Sequence, residues 1–194
     1  MVKKLVFATN NQHKLTEIEA HLGPDYKLLT LKEINCSEDI PENETTLEGN
    51  ARAKAIYVKE KYGFDCFADD TGLEIVALNG APGVYSARYA GEQKNSIDNM
   101  NLVLKNLNNE QNRKARFRTV IHLIKGGKHI QFEGIVDGEI LDHAVGTAGF
   151  GYDPIFKPDE ADCSFAEMGL AEKNKISHRA RAVNKLVEYL KKNP

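Results

Sequence analysis

Two strand-like runs joined by a glycine pair restrict the fold of this chain more than any other feature of its sequence. Residues 116–125 and 128–136 are rich in β-branched and apolar residues, and Gly126-Gly127 lies between them. This pattern predicts an antiparallel β-hairpin. Elsewhere strand-like and helix-like segments alternate along the chain, which is typical of a sheet flanked by helices. A hairpin within such an alternation predicts an α/β fold with a mixed sheet.

The remaining predicted elements follow from hydrophobic periodicity and from helix-ending residues. Gly23-Pro24 ends the first helix, and Gly63 follows the second as a C-terminal cap. We identify no internal repeat and no low-complexity linker, so a single domain spanning residues 1–194 is expected. The predicted strands are residues 2–8, 26–31, 64–68 and 73–78. The predicted helices are residues 13–22, 46–62, 96–108 and 177–192.

Composition excludes several classes of function. The net charge of −2 argues against a protein that coats nucleic acid, so an anionic ligand must be held by a local cluster of Lys and Arg. No apolar run approaches the roughly 18–20 residues that span a bilayer. The apolar run after Lys3-Lys4 is too short for a secretory signal. We therefore expect a cytoplasmic protein that binds neither nucleic acid nor membrane.

The three cysteines indicate neither a disulfide framework nor a zinc site. Cys36, Cys66 and Cys163 are odd in number, far apart and without C-x-x-C spacing. Inert thiols are expected at all three positions.

Asp69 and Asp70 interrupt an apolar stretch where acidic residues are unfavourable. Residues 66–68 approach the pair as a strand, and Thr71-Gly72 follows it. Asp has poor strand propensity, so the pair predicts either a D-D-T-G turn or a functional site at the end of a strand. Paired acids suit Mg²⁺, which takes one or two protein carboxylates and completes its shell with water and phosphate oxygens. A further acid is available from residues 41–44, just before the long helix.

Two stretches could hold an anion near the start of a helix or on its buried face. The loop T-N-N-Q-H-K at 9–14 opens a helix, and its free N–H groups and Lys14 suit a phosphate, although no glycine-rich phosphate motif is present. Lys54 falls within the apolar stripe of helix 46–62, where a lysine needs a carboxylate or an anion. The alternatives are an ordinary helix start capped by Asn, and a lysine whose amine reaches the surface.

Two later stretches allow similar pairs of interpretations. His178 and Arg179 lie in the first turn of the last helix, where the helix dipole favours anions over cations. They predict either an anionic or carbonyl-bearing partner or a solvated basic turn. The loop T-A-G-F-G-Y-D-P at 147–154 sets aromatic residues among glycines, which suits stacking on a base but equally suits a tight turn that caps the core.

These stretches belong to six motifs that occur in one order along nearly the whole chain. Taken together they resemble the inosine triphosphate pyrophosphatase family, which removes non-standard purine nucleotides such as ITP, dITP and XTP. Asn10 departs from the Gly of many members, and Thr71 replaces the commoner Ser of D-D-S-G while keeping the hydroxyl. The six motifs are residues 9–14, 42–55, 67–73, 80–91, 149–154 and 172–179.

The resemblance implies an architecture and a reaction. The implied fold is an elongated, two-lobed α/β subunit with a central mixed sheet flanked by helices, an active site in the cleft between the lobes, and a homodimeric assembly. The implied reaction is the Mg²⁺-dependent hydrolysis of ITP, dITP and XTP to the nucleoside monophosphate and pyrophosphate, which cleanses the nucleotide pool. The 6-carbonyl of hypoxanthine or xanthine could accept from Arg179, whereas the amino group of adenine could not.

The resemblance also implies roles for individual residues. Glu42 and Asp70 would hold Mg²⁺, Asp70 would accept the proton of the attacking water, and Asp69 would support the same centre. Lys54 and Lys173 would add charge for the triphosphate. The full set of implied substrate-binding residues is Thr9, Asn10, Asn11, Gln12, His13, Lys14, Lys54, Thr71, Phe150, Gly151, Tyr152, Asp153, Lys173, His178 and Arg179.

Two other functions remain open from the sequence. A related pyrophosphatase could act on modified pyrimidines or standard nucleotides, although the S-H-R turn at 177–179 argues against it. A nucleotide-sensing module could bind without turnover, but such a binder has little use for Asp69, Asp70 and Glu42.

Overall fold

Strands and helices alternate through the first half of the chain, and a long hairpin follows. The structure is a computed structural model that describes residues 3–22 and 25–193, apart from the side chains of residues 17 and 19–21. The predicted strand start at residue 2 and the helix stop at residues 23–24 lie outside the described residues. The strands are β1 Lys3–Phe7, β2 Tyr26–Leu29, β3 Cys66–Ile75, β4 Lys114–Lys125, β5 Lys128–Ile140 and β6 Phe156–Pro158. The α-helices are α1 Gln12–Leu22, α2 Leu47–Tyr62, α3 Ser96–Asn106, α4 Leu170–Ile176 and α5 His178–Lys192.

The six strands form one sheet in the order β2-β1-β3-β4-β5-β6. Strand β1 is parallel to β2, with Leu5 opposite Leu28, and parallel to β3, with Phe7 opposite Phe67. Strand β6 is antiparallel to β5. The predicted α/β class and mixed sheet are therefore confirmed.

The predicted hairpin is confirmed and is longer than its sequence signal. Gly126 and Gly127 form a two-residue turn between β4 and β5, with φ of 54° and 76°. A two-residue hairpin turn of this kind needs positive φ at both central residues, which glycine adopts without strain. The strands extend beyond the predicted 116–125 and 128–136, to Lys114 and Ile140.

The expectation of two strands separated by the Asp pair is wrong. Residues 64–68 and 73–78 do not form separate strands, because β3 continues through Asp69, Asp70 and Gly72 to Ile75. The segment Val76–Leu78 is a short 3₁₀ turn. The acids do not break the strand because lysine and arginine side chains balance their charge and the amide of Asn50 donates a hydrogen bond to Asp70.

The helix ends follow capping chemistry. Thr46 caps α2 by accepting from the N–H of Gly49 at 3.0 Å, and Gly63 ends it with φ of 75°. These contacts confirm the helix predicted over 46–62. Helix α3 ends at Asn106, two residues before the predicted 108, and the short helix α4 before α5 was not predicted.

Contacts group the chain into two compact units. The first consists of Met1–Asp70, Thr119–Gly134 and Arg179–Pro194. The second consists of Thr71–Arg118 and Ile135–His178.

The first unit has apolar clusters on both faces of its part of the sheet. Leu5 and Phe7 of β1 pack in one cluster with Leu186 of α5. Val6 of β1 packs in another with Val58 of α2. This alternation follows from the two-residue period of a strand and shows that β1 is buried on both faces.

The second unit has one apolar core. It is centred on the aromatic residues Phe117, Phe156 and Phe165, and the ring centroids of Phe117 and Phe156 lie 4.7 Å apart in an edge-to-face arrangement.

Two further sequence-based expectations can be compared with the structure. No helix among residues 3–22 and 25–193 combines the length and apolar character of a membrane span.

The three cysteines are free thiols, as predicted, and burial raises the pKa of Cys66 to about 12. A thiol with such a pKa is almost wholly protonated near neutral pH and therefore unreactive.

Candidate active site

The loop at 9–14 is a capped helix start that directs Lys14 inward. The side-chain oxygen of Asn11 accepts from the N–H groups of His13 and Lys14 at 3.0 and 3.2 Å, and the Thr9 hydroxyl accepts from the N–H of Asn11 at 3.2 Å. The first N–H groups of α1 therefore already have partners within the loop, which is the Asn-capping alternative. The charge that this loop offers to an anion is the ammonium of Lys14.

Asp69 is enclosed by two cations. Its side chain is 1% exposed, Lys14 Nζ lies 2.8 Å from Oδ1, and Arg179 Nε lies 3.4 Å from Oδ2. Burial alone would raise the pKa of Asp69, but Lys14 and Arg179 outweigh it and hold the pKa well below its usual range. The carboxylate stays ionised and anchors both cations, so it is a poor proton acceptor.

Asp70, the next residue, has a different environment. The amide of Asn50 donates to its Oδ2 at 3.0 Å, and Lys54 Nζ lies 3.9 Å from its Oδ1. Burial raises the pKa of Asp70 above its usual value, although Lys54 and Lys14 oppose the shift. Of the two neighbouring acids, Asp70 therefore accepts a proton more readily.

Lys54 faces inward, as its position in the apolar stripe predicted. Lys54 is 7% exposed, and its ammonium forms an ion pair with Glu42 in the loop before α2. Burial would lower the pKa of Lys54, but the charges of Asp70 and Glu42 raise it overall, so the ammonium remains protonated. Lys54 holds the pKa of Glu42 below its usual value against the opposing effect of burial.

Asn50 is a functional candidate that the sequence-based assignment omitted. Its amide nitrogen donates to Asp70, and its oxygen accepts from the N–H of Glu44 at 3.0 Å. The side chain thus ties the loop carrying Glu42 to the strand carrying Asp70. The available signal was its place on the buried face of α2, one turn before Lys54, where Asn50 is 1% exposed.

Glu42 and Asp70, which the resemblance assigns to a metal, offer the carboxylate oxygens that suit Mg²⁺. Glu42 and Asp70 both face the Lys54 ammonium, which shows that their oxygens converge toward one cation. The described part of the chain contains no group of three or more His, Cys, Asp or Glu residues arranged to enclose a metal. Two carboxylates suit Mg²⁺, which takes its other ligands from water and phosphate.

A second polar cluster lies in the second unit. Lys173 Nζ lies 2.8 Å from Asp153 Oδ2, and each side chain is 4% exposed. The N–H of Phe150 donates to the same carboxylate oxygen at 2.8 Å. Gly149 has φ of 77°, and a Cβ there would lie 2.2 Å from that oxygen, so only glycine permits this approach.

Lys173 contacts two aromatic rings of the second unit, including that of Phe150, which the resemblance assigns to the base and sugar. Its ammonium lies 5.0 Å from the ring centroid of Phe150 and 5.6 Å from that of Phe165. The cation is therefore held by Asp153 and by aromatic faces.

The other predicted substrate residues differ in accessibility. Tyr152 is buried and donates its hydroxyl to the carbonyl of Ser86 at 2.8 Å, which matches the alternative of an aromatic residue that caps the core. His178 stacks on Phe117, with ring centroids 4.6 Å apart and an interplanar angle of 16°. Phe150, Gly151 and Thr71 are half-buried.

Three further residues of the loop at 9–14 have exposed side chains. Asn10, Gln12 and His13 are exposed. Asn10 is not among the residues of positive φ, so the glycine common in the resembling family is not required here by the backbone.

The chain is similar to known proteins along nearly its whole length. The family model described as Ham1 family matches residues 5–189. The dITP/XTP pyrophosphatase of Flavobacterium johnsoniae is 59% identical over 187 residues, covering 96% of this chain and 97% of that protein. The dITP/XTP pyrophosphatase of Porphyromonas gingivalis is 53% identical over 191 residues, covering 97% and 98%. The solved structure of the Staphylococcus aureus Ham1 protein is 39% identical, with a TM-score of 0.92 and coverage of 99% and 100%.

Proposed function

The chain belongs to the Ham1 family, and we propose that it hydrolyses the non-standard purine nucleotides dITP, ITP and XTP to the nucleoside monophosphate and pyrophosphate. The proposal rests on near-full-length identity with relatives named dITP/XTP pyrophosphatase. The observation in the structure that carries it is the buried cluster in which Asp69 and Asp70 receive different partners. Such a cluster suits a reaction in which one acid moves a proton while the other holds cations in place.

We propose that Asp70 accepts the proton of the attacking water. The water oxygen forms a bond to the α-phosphorus, its proton passes to an oxygen of Asp70, and the bond to the bridging oxygen of the β-phosphate breaks. The raised pKa of Asp70 supports this role, because a stronger base takes the proton more readily. Water activation by Asp69 is disfavoured since its pKa is strongly lowered.

The charge of the triphosphate is met by lysines and a metal ion in this proposal. Glu42 and Asp70 would hold Mg²⁺, which when bound neutralises the triphosphate and the leaving pyrophosphate. Lys14, kept in place by Asp69, and Lys54 supply further positive charge. The other residues of the 9–14 loop position the phosphates.

Base recognition is assigned to Arg179, His178 and the 150–153 loop. A guanidinium donates only, so it suits the 6-carbonyl of hypoxanthine or xanthine and disfavours the 6-amino group of adenine. The Nε–H of Arg179 faces Asp69, which fixes the orientation of the guanidinium plane. Lys173 and Asp153 would support the half-buried Phe150 against the base.

A substrate panel tests the proposed function. The purified protein is incubated with Mg²⁺ and, separately, with ITP, XTP, dITP, ATP, GTP and CTP, and the products are separated by chromatography. The proposal predicts fast conversion of the first three to monophosphate and pyrophosphate. Release of orthophosphate, or equal rates on ATP, would contradict it.

We also propose that the protein is a cytoplasmic homodimer. The homodimer follows from the resemblance to family members, and the cytoplasmic location suits an enzyme that cleanses the nucleotide pool. Sedimentation equilibrium should give a mass of twice the 21.6 kDa chain, and a mass of one chain would contradict the dimer. Cell fractionation followed by immunoblotting should place the protein with cytoplasmic markers.

A further inference from the structure

The ammonium of Lys54 lies against both acids that the proposed function assigns to Mg²⁺. It forms an ion pair with Glu42 and lies 3.9 Å from Asp70 Oδ1. The Lys54 side chain is only 8% exposed, so the ammonium is removed from most of its hydration and depends on these carboxylates. In this arrangement the two acids already share one positive charge.

Neighbouring groups fix the acids while leaving the lysine able to move. Asn50 holds Asp70 through Oδ2 and the Glu42 loop through the N–H of Glu44. Lys54 contacts the other oxygen of Asp70, Oδ1, at the end of a flexible four-carbon side chain. The ammonium can therefore move away without displacing Asp70 from its amide partner.

We propose that Lys54 is an internal counter-ion that occupies the cation position of the free protein, and that a Mg²⁺-bound triphosphate moves its ammonium from the carboxylates to a phosphate oxygen. The identity of metal and nucleotide rests on the proposed function. A metal ion alone would have to displace the ammonium without offering it a new anion, whereas the triphosphate supplies one. Metal and nucleotide therefore bind cooperatively, each raising the affinity for the other by the same factor.

Lys14 provides a matched comparison within the same cluster. It carries the same charge, but its contact is to Asp69 Oδ1, at 2.8 Å. Removal of either lysine lowers the local positive charge by one, whereas only removal of Lys54 takes away the group that contacts Glu42 and Asp70. A difference between the two variants therefore separates occupation of the cation position from general electrostatics.

The experiment is a calorimetric titration of the nucleotide-free protein with Mn²⁺, checked by the electron paramagnetic resonance of free Mn²⁺. Lys54→Met should bind Mn²⁺ at least tenfold more tightly than the unmodified protein. Lys14→Met should change the affinity less than threefold, and so should Lys59→Met, whose ion pair with Asp65 lies elsewhere. Equal gains for Lys54→Met and Lys14→Met, or no gain for Lys54→Met, would overturn the inference.

A second variant and a second measurement guard against misfolding. Lys54→Gln, which keeps a polar end group, should show the same gain, and circular dichroism should confirm that both variants are folded. With α,β-methylene-dITP present, the Mn²⁺ affinity of the unmodified protein should rise at least tenfold, and that of Lys54→Met should rise less. An equal rise in both would overturn the inference.

These measurements do not depend on turnover. The substrate panel tests the proposed reaction, whereas the nucleotide-free titration tests the position of Lys54. A substrate panel that contradicts the proposed reaction can therefore be distinguished from a titration that contradicts the position of Lys54.

Discussion

Lys14 Nζ lies 2.8 Å from Asp69 Oδ1, and this ion pair gives Asp69 a task that its neighbour Asp70 does not share. Lys14 and Arg179 keep Asp69 ionised. Burial instead raises the pKa of Asp70, which accepts a hydrogen bond from the amide of Asn50. Adjacent residues in an extended strand point to opposite sides, so one strand can deliver two carboxylates to two different environments.

Asp69→Asn should lower the free energy of unfolding and should leave the Mg²⁺ dependence of hydrolysis nearly unchanged. The substitution leaves the cations of Lys14 and Arg179 facing a neutral amide, and breaking a buried ion pair in this way costs about 3–5 kcal/mol. Urea unfolding measures this loss. The Mg²⁺ concentration for half-maximal hydrolysis of dITP should stay within threefold of the unmodified value; a larger shift would assign Asp69 to the metal.

Asn50→Ala should lower kcat for dITP by about 10–100-fold, the usual effect of removing a partner of a metal ligand or catalytic group. The reason is that Asn50 orients Asp70 and the Glu42 loop together. KM should change little, as measured by steady-state kinetics.

Asn99→Ala is the matched control for Asn50→Ala. Asn99 is also buried, and it bridges the N–H of Ala90 and the carbonyl of Ala87 at 2.7 and 3.0 Å. This variant should lose stability and keep its kcat. If Asn99→Ala and Asn50→Ala lower kcat equally, the positioning role of Asn50 is rejected.

The buried pair of Asp153 and Lys173 should be far more important to stability than an exposed pair. Lys173→Met should cost about 3–5 kcal/mol in the free energy of unfolding, because it leaves the Asp153 carboxylate buried without its ammonium. Lys192 pairs with Glu188 on the surface, where solvent screens the charges, so Lys192→Met should leave the free energy of unfolding nearly unchanged. Equal decreases in the free energy of unfolding, measured with urea, would show that the buried pair is no more important to stability than the exposed pair.

His122 should make stability fall at mildly acidic pH. It is 6% exposed, and its pKa is lowered from 6.5 to about 4 by burial and by the nearby charges of His129 and Arg52. Since the unfolded state takes up the proton at higher pH, stability is present above pH 6.5 and is lost as the pH falls toward 4. The loss from this group should reach about 2 kcal/mol between pH 7 and 5.

The urea-unfolding midpoints of the unmodified protein and of His122→Gln, measured at pH 7 and pH 5, test this expectation. The variant cannot gain the proton, so its midpoint should fall less. The same decrease in both proteins would remove His122 as the cause.

Much of the fold could be predicted because its signals are local. The Gly126-Gly127 turn, the Thr46 and Gly63 caps of α2 and the inward position of Lys54 each depend on neighbours in sequence. The continuity of β3 could not be predicted, since local propensity places a break at Asp69 and Asp70. It depends on Lys14 and Arg179, which are 55 and 110 residues distant from Asp69 in the sequence.

The candidate site shows the same division between local and distant information. The resemblance supplied Asp70, Glu42 and Lys54 as functional residues, but not the bridge that Asn50 forms between Glu44 and Asp70. The contact of Lys173 with Asp153 likewise joins residues 20 positions apart, which sequence patterns of a single helix or loop do not report.

The role of Asp70 as acceptor of the proton of the attacking water can be measured by the turnover of dITP by Asp70→Asn. The value of kcat should fall by about 10³-fold or more, because the substitution removes a general base that is also assigned to the metal. Melting temperature should be retained within a few degrees, and Asp65→Asn, on a half-exposed acid paired with Lys59, should keep normal activity. Near-normal turnover by folded Asp70→Asn would exclude Asp70 as the proton acceptor.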